Sequence, residues 1–446
     1  MRVLLNTTNV LLLIVIVLVL LVLYQARTYH VIPPETGVCD AANVAAGASK
    51  CPRLTAAHFT YLGGMRLPYG NFTGSTQNFT GGFHTGGGHH MAINPSTGTL
   101  FVSGYCQGCV AELDVSGITP AITPTWSALP QVPSVVQNMF DISEGHIQKD
   151  FTAVWGESFL TGLLVDVTNQ KLIGSATVQY DANGMQNLSH FSHALTLATS
   201  SFSGWSAMSS QDGRNVAFRS GFMSPIPTEW QTALGGDSLT GQCCVSIVSR
   251  TSNGPAAFSF HAGDLGKPAV TSSALVYYTM EPDPPGHPTL GPWEGQNHVY
   301  GATTDINGMV LIPGTRTLLY YGRNGLGAYC YGDGVSTSPP PSGKCYDPEF
   351  AAKGQHAYPY TLQWWFYDVA DLKRVKDGES DPWEPIPYAV TPIKDFPIPQ
   401  PYSYAGGLAY NPTTRRLYVM ETGADQHNGT LALAPILHVY SVSIPP

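Results

Sequence analysis

The feature that most constrains this chain is a unit that recurs from residue 58 onward without strict identity. One copy runs from Gly87 to Pro95 (GGHHMAINP), turns, and continues from Leu100 to Gly104 (LFVSG). The last copy runs from Ala405 to Pro412 (AGGLAYNP), turns, and continues from Leu417 to Met420 (LYVM). Each is a glycine-led strand, an Asn-Pro turn and a second strand, which is hairpin punctuation. A third strand follows in both, Val110–Val115 and Leu437–Val442.

Three further stretches fit the template more loosely. Asn138–Ile142, Phe151–Trp155 and Gly162–Val167 form one. Gly204–Met208, Asn215–Phe218 and Cys244–Val248 form another, and Gly301–Ile306, Thr317–Tyr321 and Gln363–Val369 the third. A fourth strand is available after most units: Trp126–Pro130, Leu172–Tyr180, Ala256–His261 and Trp383–Tyr388. Repeated four-stranded antiparallel units predict an all-β chain, a β-propeller of five blades. The fifth unit ends after three strands, so its fourth is expected from the start of the domain, Phe59–Leu67; such closure removes free sheet edges. A β-sandwich or jelly roll could be built from the same strands, and long loops could hide a sixth or seventh blade.

Composition agrees with strands and turns. Charged residues make up 11% of the chain, against 47 glycines and 35 prolines. The net charge of -9 comes without a Lys/Arg cluster, which argues against nucleic acid as a partner.

Before the domain, Val10–Tyr24 is an unbroken apolar run. It is short for a membrane span and long for a signal-peptide core. The run exits through Tyr24-Gln25-Ala26-Arg27, with a bulky residue where signal peptidase wants a small one. Residues 1–26 are therefore expected to be an uncleaved transmembrane signal-anchor, with a cleaved signal peptide as the alternative. Residues 27–57 read as a linker and 58–446 as the propeller domain, held on the periplasmic or extracellular side. The membrane is then a partner through the N-terminal helix, with a membrane-protein complex or a glycan as further candidates.

The eight cysteines fall into neighbouring couples: Cys39 and Cys51, Cys106 and Cys109, Cys243 and Cys244, Cys330 and Cys345. In an oxidising compartment local disulfides are the natural reading. Zinc competes at Cys106 and Cys109, but Cys243 and Cys244 make a poor second ligand pair. Cys243 and Cys244 could instead bond to each other.

The longest insertion lies between Tyr321 and Thr361 and is rich in tyrosine. The stretch Tyr321–Gly332 (YGRNGLGAYCYG), with Cys345–Pro348, Lys353–Tyr360 and Trp383–Pro385, is similar to a set of exported, propeller-like bacterial proteins of unassigned function. The resemblance covers about the last third of the chain. It implies a bacterial source and carries no catalytic residues with it.

Propeller ligands sit at the mouth of the central channel. The strand alignment brings His89, His90, Asp141, Trp205, Asp305 and Tyr404 there, with Trp293, Glu294, His298 and the insertion's His356 as cover. Asp141, Glu294 and Asp305 are the candidate catalytic carboxylates for glycoside chemistry, which needs two. His89, Trp205, Trp293, His298, His356 and Tyr404 are the candidate ligand contacts. His84, His89 and His90 are candidate metal ligands in a glycine-rich segment, although adjacent histidines on a strand point to opposite faces. No cofactor is predicted. The leading expectation is a ligand- or partner-binding protein without turnover. The alternatives are a carbohydrate-active hydrolase or lyase, and a metal- or quinone-dependent oxidoreductase.

Overall fold

The computed structural model describes residues 39–68, 90–104, 106–151, 158–178, 181, 183–244, 247, 250–280, 289–396, 403–425 and 434–445. The predicted N-terminal anchor, His84 and His89 lie outside them. None of the described helices is long and apolar enough to cross a membrane.

The chain is all-β. The first strand, β1 (Phe59–Arg66), is set aside for the end. The next four, β2 (Met91–Ile93), β3 (Leu100–Ser103), β4 (Cys109–Asp114) and β5 (Ser134–Asp141), form one sheet in that order. Then β6 (Ser158–Asp166), β7 (Lys171–Val178) and β8 (His190–Ala194) form a three-stranded sheet. Strand β9 (Ala207–Ser210) leaves that sheet and lies parallel to β13 (Ala269–Val276), the outer strand of the next. That sheet runs β10 (Met223–Pro225), β11 (Ser238–Thr240), β12 (Ala257–Phe260), β13.

The fourth sheet is β14 (Asp305–Leu311), β15 (Thr317–Gly325), β19 (Tyr360–Asp368) and β20 (Ala389–Pro392). Between β15 and β19 the insertion folds its own small sheet from β16 (Cys330–Val335), β17 (Lys344–Tyr346) and β18 (Lys353–His356). The last sheet is β21 (Tyr404–Asn411), β22 (Arg416–Asp425) and β23 (Ala434–Val442), and β1 completes it by pairing antiparallel with β23. The N-terminal strand thus closes the last sheet, one residue shorter than predicted.

The first strand of each sheet is innermost. Neighbouring innermost strands contact one another in the cycle β2, β6, β10, β14, β21 and back to β2. Glycines permit that approach. A Cβ on Gly162 would lie 2.2 Å from the Gly221 carbonyl oxygen, and one on Gly308 would lie 2.8 Å from Leu408. Shifts in register fall at the same places, at Leu160/Gly162, Ile306/Gly308 and Ala405/Leu408. The rest of the strand surface faces adjacent sheets, so clusters such as Leu319, Tyr321, Phe366, Leu417 and Val419 are buried between two sheets.

Several expectations need correction. Two of the expected fourth strands are not strands: Trp126–Ala128 is a 3-10 turn, and the strand expected at Trp383–Tyr388 lies instead at β20, just after it. The strand containing Asn138–Ile142 is β5, the fourth of its sheet, not the first of a new one; the unit after it is displaced accordingly. Asn215–Phe218 is not a strand, because Val216–Arg219 forms a 3-10 turn whose N-cap Asn215 accepts from the Ala217 N–H. Finally, residues 39–57, read as linker, are folded onto the domain. The helix Ala41–Ala45 and the Cys39–Cys51 disulfide stand there, and Val44, Ala48, Cys51 and Leu54 are buried. The Leu54 N–H donates to Thr317 Oγ1, and Arg53 pairs with Asp368 at 3.6 Å.

Candidate functional site

The innermost strands leave a narrow central cavity of about 10 Å³, touched by all five. That is room for about one water, so the channel itself is largely filled. Space for a ligand has to be sought above it, where the innermost strands start. Loops joining the second and third strands of each sheet emerge on that same side.

Asp305 and Tyr404 are the first residues of β14 and β21, and Asp305 lies directly opposite Arg323 in the β14–β15 register. Arg323 is 8% exposed. Its guanidinium is stacked on both faces, 4.1 Å from the Tyr360 ring centre and 3.7 Å from that of Tyr404. Such cation–π contacts contribute roughly 2 kcal/mol when desolvated. Yet Arg323 Nε and Nη1 have no hydrogen-bond acceptor, and among the described residues no carboxylate lies within ion-pairing distance. Buried N–H groups left without acceptors cost about 1–3 kcal/mol each.

Carboxyls surround this cation without pairing to it. Asp305 retains partial solvent contact, and its Oδ1 accepts from Asn307 Nδ2 at 2.9 Å. Burial pushes its pKa up to about 6, against the opposing pull of Arg323 and Asn307. Glu349, from the insertion, is raised to about 7 by burial, with Arg323 opposing and Asp347 adding to the shift. Burial also pushes Tyr404 up to about 12. Cys243 and Cys244 are bonded to each other beside the same strand: Cys243 Sγ lies 3.8 Å from Asn307 Oδ1, and the Ile306 N–H donates to the Cys244 carbonyl.

Asp305 yields a pH prediction. An acid whose folded pKa exceeds its unfolded value holds a proton that the unfolded chain has released. Its contribution is therefore most favourable below about pH 4 and is lost as pH rises through about 6. Asp305→Asn is expected to remove that fall, so the gap in melting temperature between wild type and variant should change across this window. A gap constant with pH would sink the assignment. Asp368, also raised to about 6 by burial, titrates in both proteins and cancels in the comparison.

The insertion supports the site rather than opening it. His356 Nδ1 faces Asp347 Oδ2 at 2.8 Å, while Nε2 faces the carbonyls of Gly332 and Ala352 at 3.0 and 3.1 Å. All three partners only accept, so both ring nitrogens donate and the ring is an imidazolium. Burial alone would lower its pKa, but the Asp347 contact and the two carbonyls raise it. His356 is thus fully engaged internally and offers a ligand nothing.

The other predicted residues are dispersed. Asp141 ends the outer strand β5; its Oδ1 accepts from the Ser143 N–H and Oγ, and its Oδ2 from the Gly145 N–H. It caps a turn and does not join Asp305. Trp205 lies beyond β8, edge-on to Phe151, Phe191 and Phe202, with Nε1 donating to Asp150 Oδ2 at 2.7 Å. Misplaced strands in the middle of the chain put both at the mouth. His90 borders the central cavity. Trp293, Glu294 and His298 sit on the loop before β14; Glu294 and His298 are exposed. That loop is held down by Gln363 Nε2 donating to the His298 carbonyl and Trp365 Nε1 donating to that of Val299. Among the described residues no three His, Cys, Asp or Glu side chains converge as metal ligands would.

Arg323, Tyr360, Glu349 and Asn307 were not anticipated. A signal existed: an arginine at the end of a strand that runs into the longest loop. The four cysteine couples are paired as disulfides, each within its couple.

No protein-family model matches the chain, and no curated protein is similar to it. Among solved structures, a luciferin-regenerating enzyme superposes with a TM-score of 0.34 at 9% identity, over 87% of this chain and 94% of that one. The β-propeller domain of Cps50 (Swd1) from Myceliophteria thermophila gives 0.31 at 9% identity, over 83% and 84%. The PQQ-bound aldose sugar dehydrogenase from Streptomyces coelicolor gives 0.30 at 12% identity, over 80% and 95%.

Proposed function

We propose that this chain is a membrane-anchored, extracytoplasmic β-propeller of five blades that binds a small ligand at the channel mouth without turning it over. Five innermost strands in cyclic contact, with β1 completing the last sheet, support the blade count. Four disulfides suit an oxidising compartment, and the apolar run Val10–Tyr24 supplies the anchor. The observation that carries the binding role is Arg323: a buried cation, stacked by two tyrosines, with N–H groups that no protein acceptor satisfies.

The test is recovery. Full-length protein is purified from its membrane, extracted, and the extract compared with that of Tyr404→Ala. A compound found at stoichiometric amount in the wild type, depleted in the variant and unchanged on prolonged incubation supports the reading. Conversion of that compound would overturn the absence of turnover, and protein that leaves the membrane in carbonate would overturn the anchor.

One observation favours a second reading, a carbohydrate-active hydrolase or lyase. Asp305 and Glu349 both have raised pKa values and both feel Arg323, and glycoside cleavage needs one protonated and one ionised carboxyl. Release of reducing sugar from a glycan panel, lost in both Asp305→Asn and Glu349→Gln, would select it.

A further inference from the structure

We infer that the ligand of the mouth site carries a carboxylate, bound in the plane of the Arg323 guanidinium between Tyr360 and Tyr404. This rests on the binding reading above and names its chemical class. The two rings cover the faces of the guanidinium, so any acceptor must reach its N–H groups edge-on. A carboxylate is planar and presents two oxygens in that plane, which suits a flat slot and the fixed donor fork of arginine. A tetrahedral anion can offer two oxygens in that plane as well, but it holds its other two above and below it, towards the rings. A neutral hydroxyl or carbonyl would satisfy an N–H but leave the charge buried and uncompensated.

Charge arithmetic at the mouth agrees. The groups facing Arg323 are Asp305 from β14, Tyr360 from β19, Tyr404 from β21 and Glu349 from the insertion. Asp347 and His356 lie behind Tyr360 and compensate each other. With Asp305 and Glu349 protonated, the site has one uncompensated positive charge and two O–H donors. With both ionised it is net negative and repels an anion. Below about pH 6 the site therefore takes a monoanion, and above about pH 7 it loses that preference.

The experiment is calorimetric titration of the full-length protein with succinate, D-glucuronate, D-glucose and inorganic phosphate, at about pH 5 and about pH 8. One or both carboxylates should bind at the lower pH and at least about tenfold more weakly at the higher, while glucose and phosphate give no heat. Arg323→Lys keeps the charge but loses the planar donors, and should weaken binding at least about tenfold, the size of one charge-assisted hydrogen bond. Should Arg323→Lys fail to fold, Tyr404→Ala removes one of the two rings over the guanidinium and should weaken binding at least about tenfold, whereas Glu349→Gln should flatten the pH dependence. No heat from either carboxylate at millimolar concentration overturns the inference. Glucose or phosphate binding that Arg323→Lys abolishes overturns the carboxylate class and leaves the mouth as the binding site. Carboxylate binding indifferent to all three substitutions places the ligand elsewhere and overturns both.

Discussion

Asp347→Ala is expected to loosen the insertion before the rest of the domain melts, at a cost of about 3–5 kcal/mol, the usual loss when one partner of a buried ion pair is removed. Asp347 is 1% exposed. Its Oδ2 accepts from His356 Nδ1 at 2.8 Å and from the Tyr360 hydroxyl at 2.7 Å, and its Oδ1 from the Glu349 and Phe350 N–H groups. Burial would raise its pKa, but these four donors hold it below the ordinary range. Removing the carboxylate leaves the His356 imidazolium buried without a counter-charge, so that ring must shed its proton or leave its place. It also frees the hydroxyl of the tyrosine stacked on Arg323.

The pH dependence follows from both partners. The stabilisation due to His356, whose pKa is raised, is fully present below its ordinary value of 6.5 and lost as pH rises through the folded value. The stabilisation due to Asp347, whose pKa is lowered, is present above its ordinary value of 3.8 and lost as pH falls through the folded one. The pair is strongest between those limits, and the loss in Asp347→Ala should be largest there. Amide exchange over residues 344–360 is the decisive measurement. Protection should collapse in that segment first, while β22 and β23 keep theirs. Unchanged exchange there, or uniform loss over the whole chain, would refute the local account.

This network also shows what a sequence of this kind conceals. The last sheet was legible because β21, β22 and β23 are long and apolar, and because Asn411-Pro412 marks the turn between the first two. β14, β15 and β19 were legible for similar reasons. The middle was not. Each sheet is covered on both sides, so the apolar–polar alternation that dates a strand within its sheet disappears: eight of nine residues of β6 are buried. A run such as Asn138–Ile142 then looks alike as a first or a fourth strand. β10 and β11 have three residues each, with the helix Thr228–Leu234 between them, too short for any pattern. Asp141 and Trp205 were carried to the mouth by that misplacement. Asp305 and Tyr404 reached it because their strands were read in place. Arg323 escaped because its meaning lies in what surrounds it: two rings from strands 37 and 81 residues further along, β19 and β21, converge on one guanidinium.

Gly63→Val is expected to cost about 4 kcal/mol and to act on the closure of the whole ring. Gly63 has φ +126, and a Cβ there would stand 2.5 Å from the backbone of Ala121. Overpacking costs roughly 1–3 kcal/mol, and a side chain held at such a φ roughly 1–3 more. The position magnifies the effect. On one edge β1 pairs with β23 from Phe59↔Val442 to Arg66↔Ile436, with its register shift at Tyr61/Gly63. On the other it bridges the loop before β5: Gly64 exchanges hydrogen bonds with Ala121 at 2.9 and 3.1 Å, and the Arg66 N–H donates to the Pro130 carbonyl. One strand therefore joins the last sheet to the first. Displacing it exposes the β23 edge, an aggregation-prone row of unpaired groups, and uncovers Phe59 and Met65. The variant should show a lowered urea midpoint, early exchange at residues 436–442 and a rise in self-association, with Gly63→Ala intermediate. Midpoints for both substitutions within error of wild type would mean that β1 is an appendage to a ring already closed without it.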